Sequence, residues 1–267
     1  MAKVWRNAAR YVFAAGCVGA AYTSAANANG LNLSYSIEIL GVEVYKVHLN
    51  ADIAPGGYAM SVRMEPAGVV GVFSGGKMVA SGNGRISNNS VRMRTYQMTG
   101  SSRFGSDKTV TLSMRNGRLE AQRDFDIDGN DDAAIKKAVT QGTRDAFSLL
   151  TRHMLLSGPK SCAGNGSVYS GWAVYAYSLK YAGEKQVKSA ASGKTYAQFT
   201  CQLSYRRVAG AGSGAFKAFQ ESRPKPISVN YAQVKVNGRE VQIPMSARTT
   251  IRGQSISLSL LKSSAMP

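Results

Sequence analysis

Histidine, cysteine and acidic side chains are scarce in this sequence. Its 267 residues include two histidines, three cysteines and 15 acidic residues, against 33 lysines and arginines. Neither His48 nor His153 lies in a recognisable catalytic motif, so we expect each to be a surface residue or a satisfied core residue. Pairing of two cysteines leaves no set of thiolates for a zinc site.

The motifs of hydrolases and nucleotide-binding proteins are also missing. No Gly-x-Ser-x-Gly segment provides the strained serine turn of the α/β-hydrolases. No complete Gly-x-x-x-x-Gly-Lys-Ser/Thr phosphate loop occurs, and the glycines of 210–214 lack the strand-to-helix context of a dinucleotide fold. We therefore predict a protein that is not an enzyme and that carries no cofactor and no metal.

Long apolar runs are absent, and the apolar stretch 11–22 belongs to a segment with the form of a secretory signal peptide. Basic residues precede it, namely Lys3, Arg6 and Arg10, and small residues follow at 26–28. We predict that residues 1–28 are a signal peptide cleaved after Ala28. Because the stretch is shorter than the roughly 20 residues of a membrane-spanning helix, we expect a soluble periplasmic chain with no transmembrane segment.

A second processing route is lipid attachment at Cys17, which follows the small residues 14–16. A large aliphatic residue is missing at Ala14, and few apolar residues precede Cys17, which favours cleavage after Ala28.

Two cysteines remain in the exported chain, Cys162 and Cys201. An even number of cysteines in an oxidising compartment indicates a disulfide, the alternative being two buried reduced thiols. The bridge would close a loop that contributes roughly 3 to 4 kcal/mol to stability.

Basic residues predominate throughout the chain. The formal net charge is +18, and it becomes +15 when the three basic residues of the signal are removed. Behind an export signal, the anionic partners are lipid headgroups, lipopolysaccharide and acidic cell-wall polymers, and we expect no binding of nucleic acid. The alternative is a scattered excess of charge that only keeps the chain soluble.

Alternation of apolar and polar residues dominates the exported chain, beginning with residues 31–39. This period of two is typical of half-buried strands. Asn116-Gly117 is the dipeptide of a two-residue hairpin turn. Further strand segments lie at 45–49, 58–64, 91–98, 110–114, 118–127, 175–181, 197–205, 227–236, 241–243 and 256–260.

Helical periodicity occurs between Asp131 and Leu156, where Gly142 is expected to divide the helix and Gly158-Pro159 to end it. Residues 66–76 interrupt the strands and fit one short helical turn, and segments 209–214 and 224–226 flank a stretch expected to be irregular or briefly helical. The sequence thus predicts a mainly β fold, an antiparallel curved sheet or incomplete barrel with one central helical insertion, forming a single domain over residues 29–267.

An acidic cluster stands out against the basic background, with Asp124, Asp126, Asp128 and Asp132. Alternate carboxylates and Gly129 fit a calcium loop, although Ile135 replaces the glutamate expected at its twelfth position. The alternative is structural, since the same residues also fit a strand with an acidic outer face and a helix cap at Asp131 or Asp132.

The order of several short motifs resembles that of bacterial periplasmic proteins with the domain of unknown function DUF3108. The resemblance covers nearly the whole exported chain and implies a periplasmic β-rich protein without catalytic residues. This chain departs from the family at Asp145-Ala146-Phe147-Ser148 and at Ser170-Gly171. The matching motifs are 35–44, 67–73, 145–150, the Cys162 loop leading into 168–177, and 199–203.

Two functions follow as hypotheses for a protein that supports the cell envelope. In the first, Met60, Met64, Tyr175 and Tyr177 line a concave sheet face that binds a lipid, an acyl chain or an extended peptide, unless they form the core. In the second, the basic exterior binds anionic cell-wall or lipopolysaccharide surfaces or an envelope protein. Its expected patch is Arg92, Arg94, Arg103 and Lys108.

Overall fold

Thirteen antiparallel strands form one sheet in the part of the chain that the structure describes. This computed structural model describes residues 30–68, 76–88, 90–101, 107–156, 158–188, 195–210, 226–236, 238–251 and 253–264. The predicted signal peptide, Cys17, Arg103 and most of segments 66–76, 209–214 and 224–226 lie outside these residues. The strands are β1 Leu31–Ile39, β2 Val42–Ala54, β3 Gly57–Pro66, β4 Met78–Ser87, β5 Ser90–Gly100, β6 Lys108–Arg115, β7 Arg118–Arg123, β8 Gly164–Tyr169, β9 Val174–Lys188, β10 Thr195–Ala209, β11 Ile227–Val236, β12 Arg239–Ile251 and β13 Gln254–Ser263.

The sheet forms a nearly closed barrel. The first and last described strands, β1 and β13, are neighbours at the centre of the strand order. The strand order is β7-β6-β5-β4-β3-β2-β1-β13-β12-β11-β10-β9-β8, so β1 pairs with β13 and the sheet edges are β7 and β8. The predicted antiparallel curved sheet or incomplete barrel is confirmed. The predicted hairpin turn is also present, because Asn116 and Gly117 have φ values of 50° and 74°, as a type I′ turn requires.

The helical insertion lies between the two edge strands in sequence. It consists of α1, Gly129–Ala138, then α2, Ala146–Leu155, and a 3-10 turn at Gly158–Cys162. The predicted division of the helix is confirmed, but the non-helical break is longer than Gly142 alone and runs over residues 139–145. The break is stabilised by Asp145, whose Oδ1 accepts hydrogen bonds from the first free amides of α2, at Phe147 and Ser148.

Two kinds of contact span the remaining gap between β7 and β8: one parallel bridge from the helical insertion to β8, and hydrogen bonds from arginine side chains of β7. Arg144 exchanges backbone hydrogen bonds with Ser167 and Tyr169 of β8. From β7, the Arg123 guanidinium donates to the Tyr169 hydroxyl and to the Gly171 carbonyl. Arg118 donates to the carbonyls of Lys136 and Val139 at the C-terminal end of α1. We call this set of contacts the seam.

Helix α2 crosses the barrel interior. It contacts β4 and β5 on one wall and β12 on the opposite wall. Phe147 packs edge-to-face on Tyr96 with ring centroids 5.2 Å apart, Thr151 lies 3.6 Å from the sulfur of Met60, and Met154 is fully buried. The main hydrophobic core therefore lies between α2 and the inner face of the sheet.

Strand β4 has no clear strand signal in the sequence, because its residues alternate weakly and include two glycines. Those glycines are required by close packing. A Cβ at Gly82 would lie 3.0 Å from the Phe147 ring, and a Cβ at Gly84 would lie 2.3 Å from the Arg92 carbonyl and 2.4 Å from the Tyr58 ring. Because the two glycines have no side chains on the inner face of β4, the ring of Phe147 on α2 and the ring of Tyr58 fit against it.

Replacing Gly84 by alanine is expected to lower the free energy of unfolding by about 2 kcal/mol or more, because the new methyl group overlaps backbone and ring atoms. The matched control is Gly100→Ala at the end of β5, where the nearest atom lies 3.9 Å from the new Cβ. Urea denaturation followed by circular dichroism measures both variants. Equal losses of stability in the two variants would contradict the packing account.

Candidate functional site

The proposed apolar face is largely occupied by packing. Met60 is 4% exposed and Tyr177 is 8% exposed, whereas Met64 and Tyr175 are half-buried. Met60 lies under α2, and Tyr177 belongs to a second small core with Leu179 and Phe199. Two of the four predicted ligand-binding side chains are thus core residues.

The predicted cysteine pair is joined in the structure. Cys162 and Cys201 form a disulfide with their Cα atoms 5.1 Å apart, and both residues are buried. The bond connects the 3-10 turn that follows α2 to the wall strand β10. It therefore fixes the C-terminal end of the helical insertion to the barrel.

Reduction of this disulfide is expected to lower the free energy of unfolding by about 3 to 4 kcal/mol, since it releases the loop between the two cysteines. Urea titrations with and without a phosphine reductant provide the measurement. The double variant Cys162→Ala/Cys201→Ala is the control, and its unfolding midpoint should not respond to the reductant. An unchanged midpoint for the reduced wild-type protein would show that the bridge does not stabilise the fold.

The aspartate cluster is divided among separate structural contacts. Asp124 accepts a hydrogen bond from the Thr109 amide at 2.7 Å, and Asp128 caps α1 by accepting from the Asn130 amide at 2.9 Å. Asp132 contacts Arg123 at 3.0 Å and Lys136 at 2.7 Å. Hydrogen bonds from these cations hold the pKa of Asp132 below its usual value.

These placements correct details of the structural alternative. The residues form no strand beyond Arg123, because the chain leaves the sheet there, and the helix cap is Asp128 rather than Asp131 or Asp132. Asp126 is exposed. Within the described ranges, no group of three or more histidine, cysteine or acidic side chains is arranged to hold a metal ion.

A buried polar group lies at the start of α2. The Tyr58 hydroxyl is 2.9 Å from the Ser148 hydroxyl, and the neighbouring Asp145 is 1% exposed. Burial raises the pKa of Asp145 despite its hydrogen bonds from Ser148 and Phe147. Tyr58, Asp145 and Ser148 are surrounded by the packed core. They therefore position the start of α2 and are not accessible to a substrate.

The two histidines have different environments. His48 is exposed on β2 and its Nδ1 lies 3.1 Å from the Ser34 hydroxyl. His153 is buried on α2, and its Nδ1 lies 3.0 Å from the Ser161 carbonyl oxygen, so the neutral ring donates there. Burial lowers the pKa of His153 to about 4. Each histidine was expected to be a surface residue or a satisfied core residue: His48 is at the surface, and His153 is in the core with its Nε2 lacking a hydrogen-bond partner among the described residues.

Acidification is expected to destabilise the protein through His153. Its folded-state pKa lies below the unfolded value, so its contribution is complete above pH 6.5 and is lost as the pH falls towards about 4. The loss reaches about 3 kcal/mol. Unfolding free energies measured across this range should fall less steeply for His153→Gln than for wild type. His48→Gln, which replaces the exposed histidine, is the control for the substitution itself.

The predicted basic patch is only partly assembled. Arg92 and Arg94 are exposed on β5, but Lys108 pairs with Gly100 at the far end of that strand. Lys108 instead lies over the Phe125 ring, 5.1 Å from its centroid. Arg103 lies outside the described residues.

The structure adds Arg85 to this patch. In the β4–β5 hairpin, Arg85 pairs directly with Arg92, and a bulge opposite Asn83 and Gly84 leaves Arg94 as the extra residue. The turn sequence Ser87-Asn88-Asn89-Ser90, with Asn88 at a φ of 45°, is the signal that could have revealed this pairing. We call Arg85, Arg92 and Arg94 the arginine cluster.

The arginine cluster lines an open cleft of about 680 Å³ on the outside of the barrel, together with Ser87, Asn88, Ser90 and Met93. All three guanidinium groups are on exposed residues. The ion pairs found within the described ranges join other residues, including the neighbouring Arg115, which contacts Glu120 at 3.8 Å. The cluster therefore has no acidic partner among the residues that the structure describes.

Charge is distributed unequally between the two ends of the barrel. We call the end where the β2–β3, β4–β5, β6–β7 and β11–β12 hairpins turn the hairpin end. Its basic residues include Arg85, Arg92, Arg94, Arg115, Arg118, Lys185, Lys188, Lys235, Arg239 and Lys262, and its acidic residues include Asp52, Glu120, Glu184 and Glu240. The opposite end is mixed: it holds most of the acidic residues, namely Glu38, Glu43, Glu65, Asp107, Asp124, Asp126, Asp128, Asp131 and Asp132, and also basic residues that include Lys46, Arg63, Lys77, Lys108 and Arg248.

These features define an antiparallel, nearly closed barrel-like protein with a filled interior and a basic hairpin end. No protein-family model matches the chain, and no curated protein is similar to it in sequence. A similar solved structure is the beta-barrel-like protein of the domain of unknown function DUF1849 from Brucella abortus. It shares 7% identity, with a TM-score of 0.46 over 89% of this chain and 97% of that chain, and this likeness carries no functional inference.

The resemblance to the DUF3108 proteins therefore stays a prediction.

Within the described residues, no helix has the length and apolar character needed to cross a membrane.

Proposed function

We propose that this chain is a non-enzymatic periplasmic protein that supports the cell envelope by binding anionic cell-wall or lipopolysaccharide surfaces through its hairpin end. The observation that carries this proposal is the excess of basic over acidic residues at the hairpin end, which the opposite end lacks. A basic end opposite a mixed end orients the molecule towards a negatively charged surface and speeds encounter with it. The predicted signal peptide and the DUF3108 resemblance supply the periplasmic location.

The alternative of an apolar ligand on the concave face has less support. An open cavity would be needed for an acyl chain, and α2 packs over Met60 in that position. Exchange of α2 for a ligand would also require the loss of the contacts between Phe147 and Tyr96 and between Ser148 and Tyr58. The exterior therefore offers the better binding surface.

Titration of the purified chain onto lipopolysaccharide micelles tests the proposal. We expect binding that weakens steeply between about 0.01 and 1 M salt, because the screening length falls from about 30 to 3 Å. Binding that persists at high salt would instead favour an apolar ligand. No binding at low salt would contradict the proposed function.

A pair of matched variants tests which end binds. Lys185→Gln/Lys188→Gln removes two charges from the hairpin end, and Lys46→Gln/Arg248→Gln removes two exposed charges from the opposite end. We expect the first pair to weaken binding by about fivefold or more and the second pair to leave it nearly unchanged. Equal effects would show that net charge, and not its placement, determines binding.

A further inference from the structure

We propose that the cleft at the arginine cluster is a site for phosphate groups. This inference deepens the proposed function and rests on it, since it names the chemical group that the hairpin end recognises. The site consists of the guanidinium groups of Arg85, Arg92 and Arg94, with the polar side chains of Ser87 and Ser90 at the turn.

The placement of the arginines is costly for the fold alone. Arg85 and Arg92 are directly opposite on antiparallel strands, where side chains are close and like charges are destabilising. Two other exposed arginines of the sheet have an acidic partner, Arg63 with Glu65 and Arg115 with Glu120. An anion bound between Arg85 and Arg92 would turn this repulsion into attraction.

The bulge in β5 adds the third cation to the same surface. In a regular strand, one of two successive side chains faces the barrel interior. Arg94 and Thr95 are nevertheless both exposed, because Arg94 is the extra residue of the bulge. Its side chain thus joins Arg92 at the cleft while Met93 remains buried between them. Bulges commonly redirect side chains towards a functional site.

The chemistry of the cluster favours phosphate monoesters over carboxylates. A phosphate monoester carries about −1.5 to −2 charges at neutral pH and has three strong acceptor oxygens. Guanidinium groups donate paired hydrogen bonds to such oxygens in a planar geometry. Three guanidinium groups match this charge and number of acceptors, and the hydroxyls of Ser87 and Ser90 provide neutral donors.

A phosphate monoester reaches this cleft either on a membrane lipid or on a soluble molecule. Inorganic phosphate is the soluble probe, and its binding is followed by the guanidinium NMR signals of the three arginines. Phosphatidylcholine vesicles doped with phosphatidic acid are the membrane probe, with an equal fraction of phosphatidylserine as the comparison. Binding to phosphatidic acid vesicles in preference to phosphatidylserine vesicles supports a lipid source, and binding of phosphate alone supports a soluble one.

The triple variant Arg85→Gln/Arg92→Gln/Arg94→Gln is the decisive test. We expect about a fivefold loss of phosphate affinity for each arginine and about a hundredfold loss for all three. The control is Lys46→Gln/Arg63→Gln/Arg248→Gln, which removes the same formal charge from exposed residues nearer the opposite end. It should retain the phosphate affinity of wild type.

Thermal unfolding separates binding from folding. Relief of the repulsion between Arg85 and Arg92 should leave the melting temperature of the triple variant equal to or above that of wild type. Undiminished phosphate binding by a folded triple variant would overturn the cleft site. If that variant still binds lipopolysaccharide in a salt-sensitive manner, the proposed function survives without this site, whereas wild-type protein that binds neither phosphate nor lipopolysaccharide would overturn both.

Discussion

The closure of the gap between β7 and β8 is the constraint on which the rest of this structure depends. Both are edge strands, and an open edge presents unpaired amides and carbonyls to any neighbouring chain. Here the gap is bridged by the Arg123 guanidinium, which contacts Tyr169, Gly171 and Asp132. The side chain of Arg123 is 13% exposed, so its charge depends on these partners.

Closure by side chains determines where the helices lie. The chain leaves β7, covers the gap with α1 and returns to β8. Helix α2 lies between α1 and β8 in the sequence, and it occupies the barrel interior. Asp145 holds the start of α2 and the disulfide at Cys162 holds the segment after its end. Because the interior is filled, the proposed binding surface lies on the outside of the barrel, and the proposal rests on the charge pattern there and not on the aromatic pattern inside.

Local sequence patterns were sufficient for much of this fold. Alternation predicted β1, β2 and β3, Asn116-Gly117 predicted its hairpin, and the cysteine count predicted the disulfide. Strand β4 could not be recognised in the same way, because Gly82 and Gly84 are set by contacts with Phe147 and Tyr58, which are far away in the sequence. Glycines that make space for a distant helix look like turn residues when only their neighbours are known.

The composition of the arginine cluster was harder to predict for a related reason. Arg92 and Lys108 are near one another in sequence but lie at opposite ends of a long hairpin, whereas Arg85 and Arg92 meet across a turn. The pairing register of β4, β5 and β6 determines which of these basic residues lie side by side. The filled interior likewise follows from tertiary packing, since Met60 has the same spacing on β3 whether a ligand or α2 covers it.

The pairing of β1 with β13 joins the two ends of the chain, as shown by the partners Leu33 and Ser263. Contacts over such long separations in sequence slow folding, because loop entropy must be lost before they form. An emerging chain therefore leaves one edge of β1 without its partner, although β2 pairs with the other edge, until β13 is released. During that interval Leu31 and Leu33, which are buried in the finished barrel, remain open to aggregation, and the order of synthesis itself creates a period of vulnerability.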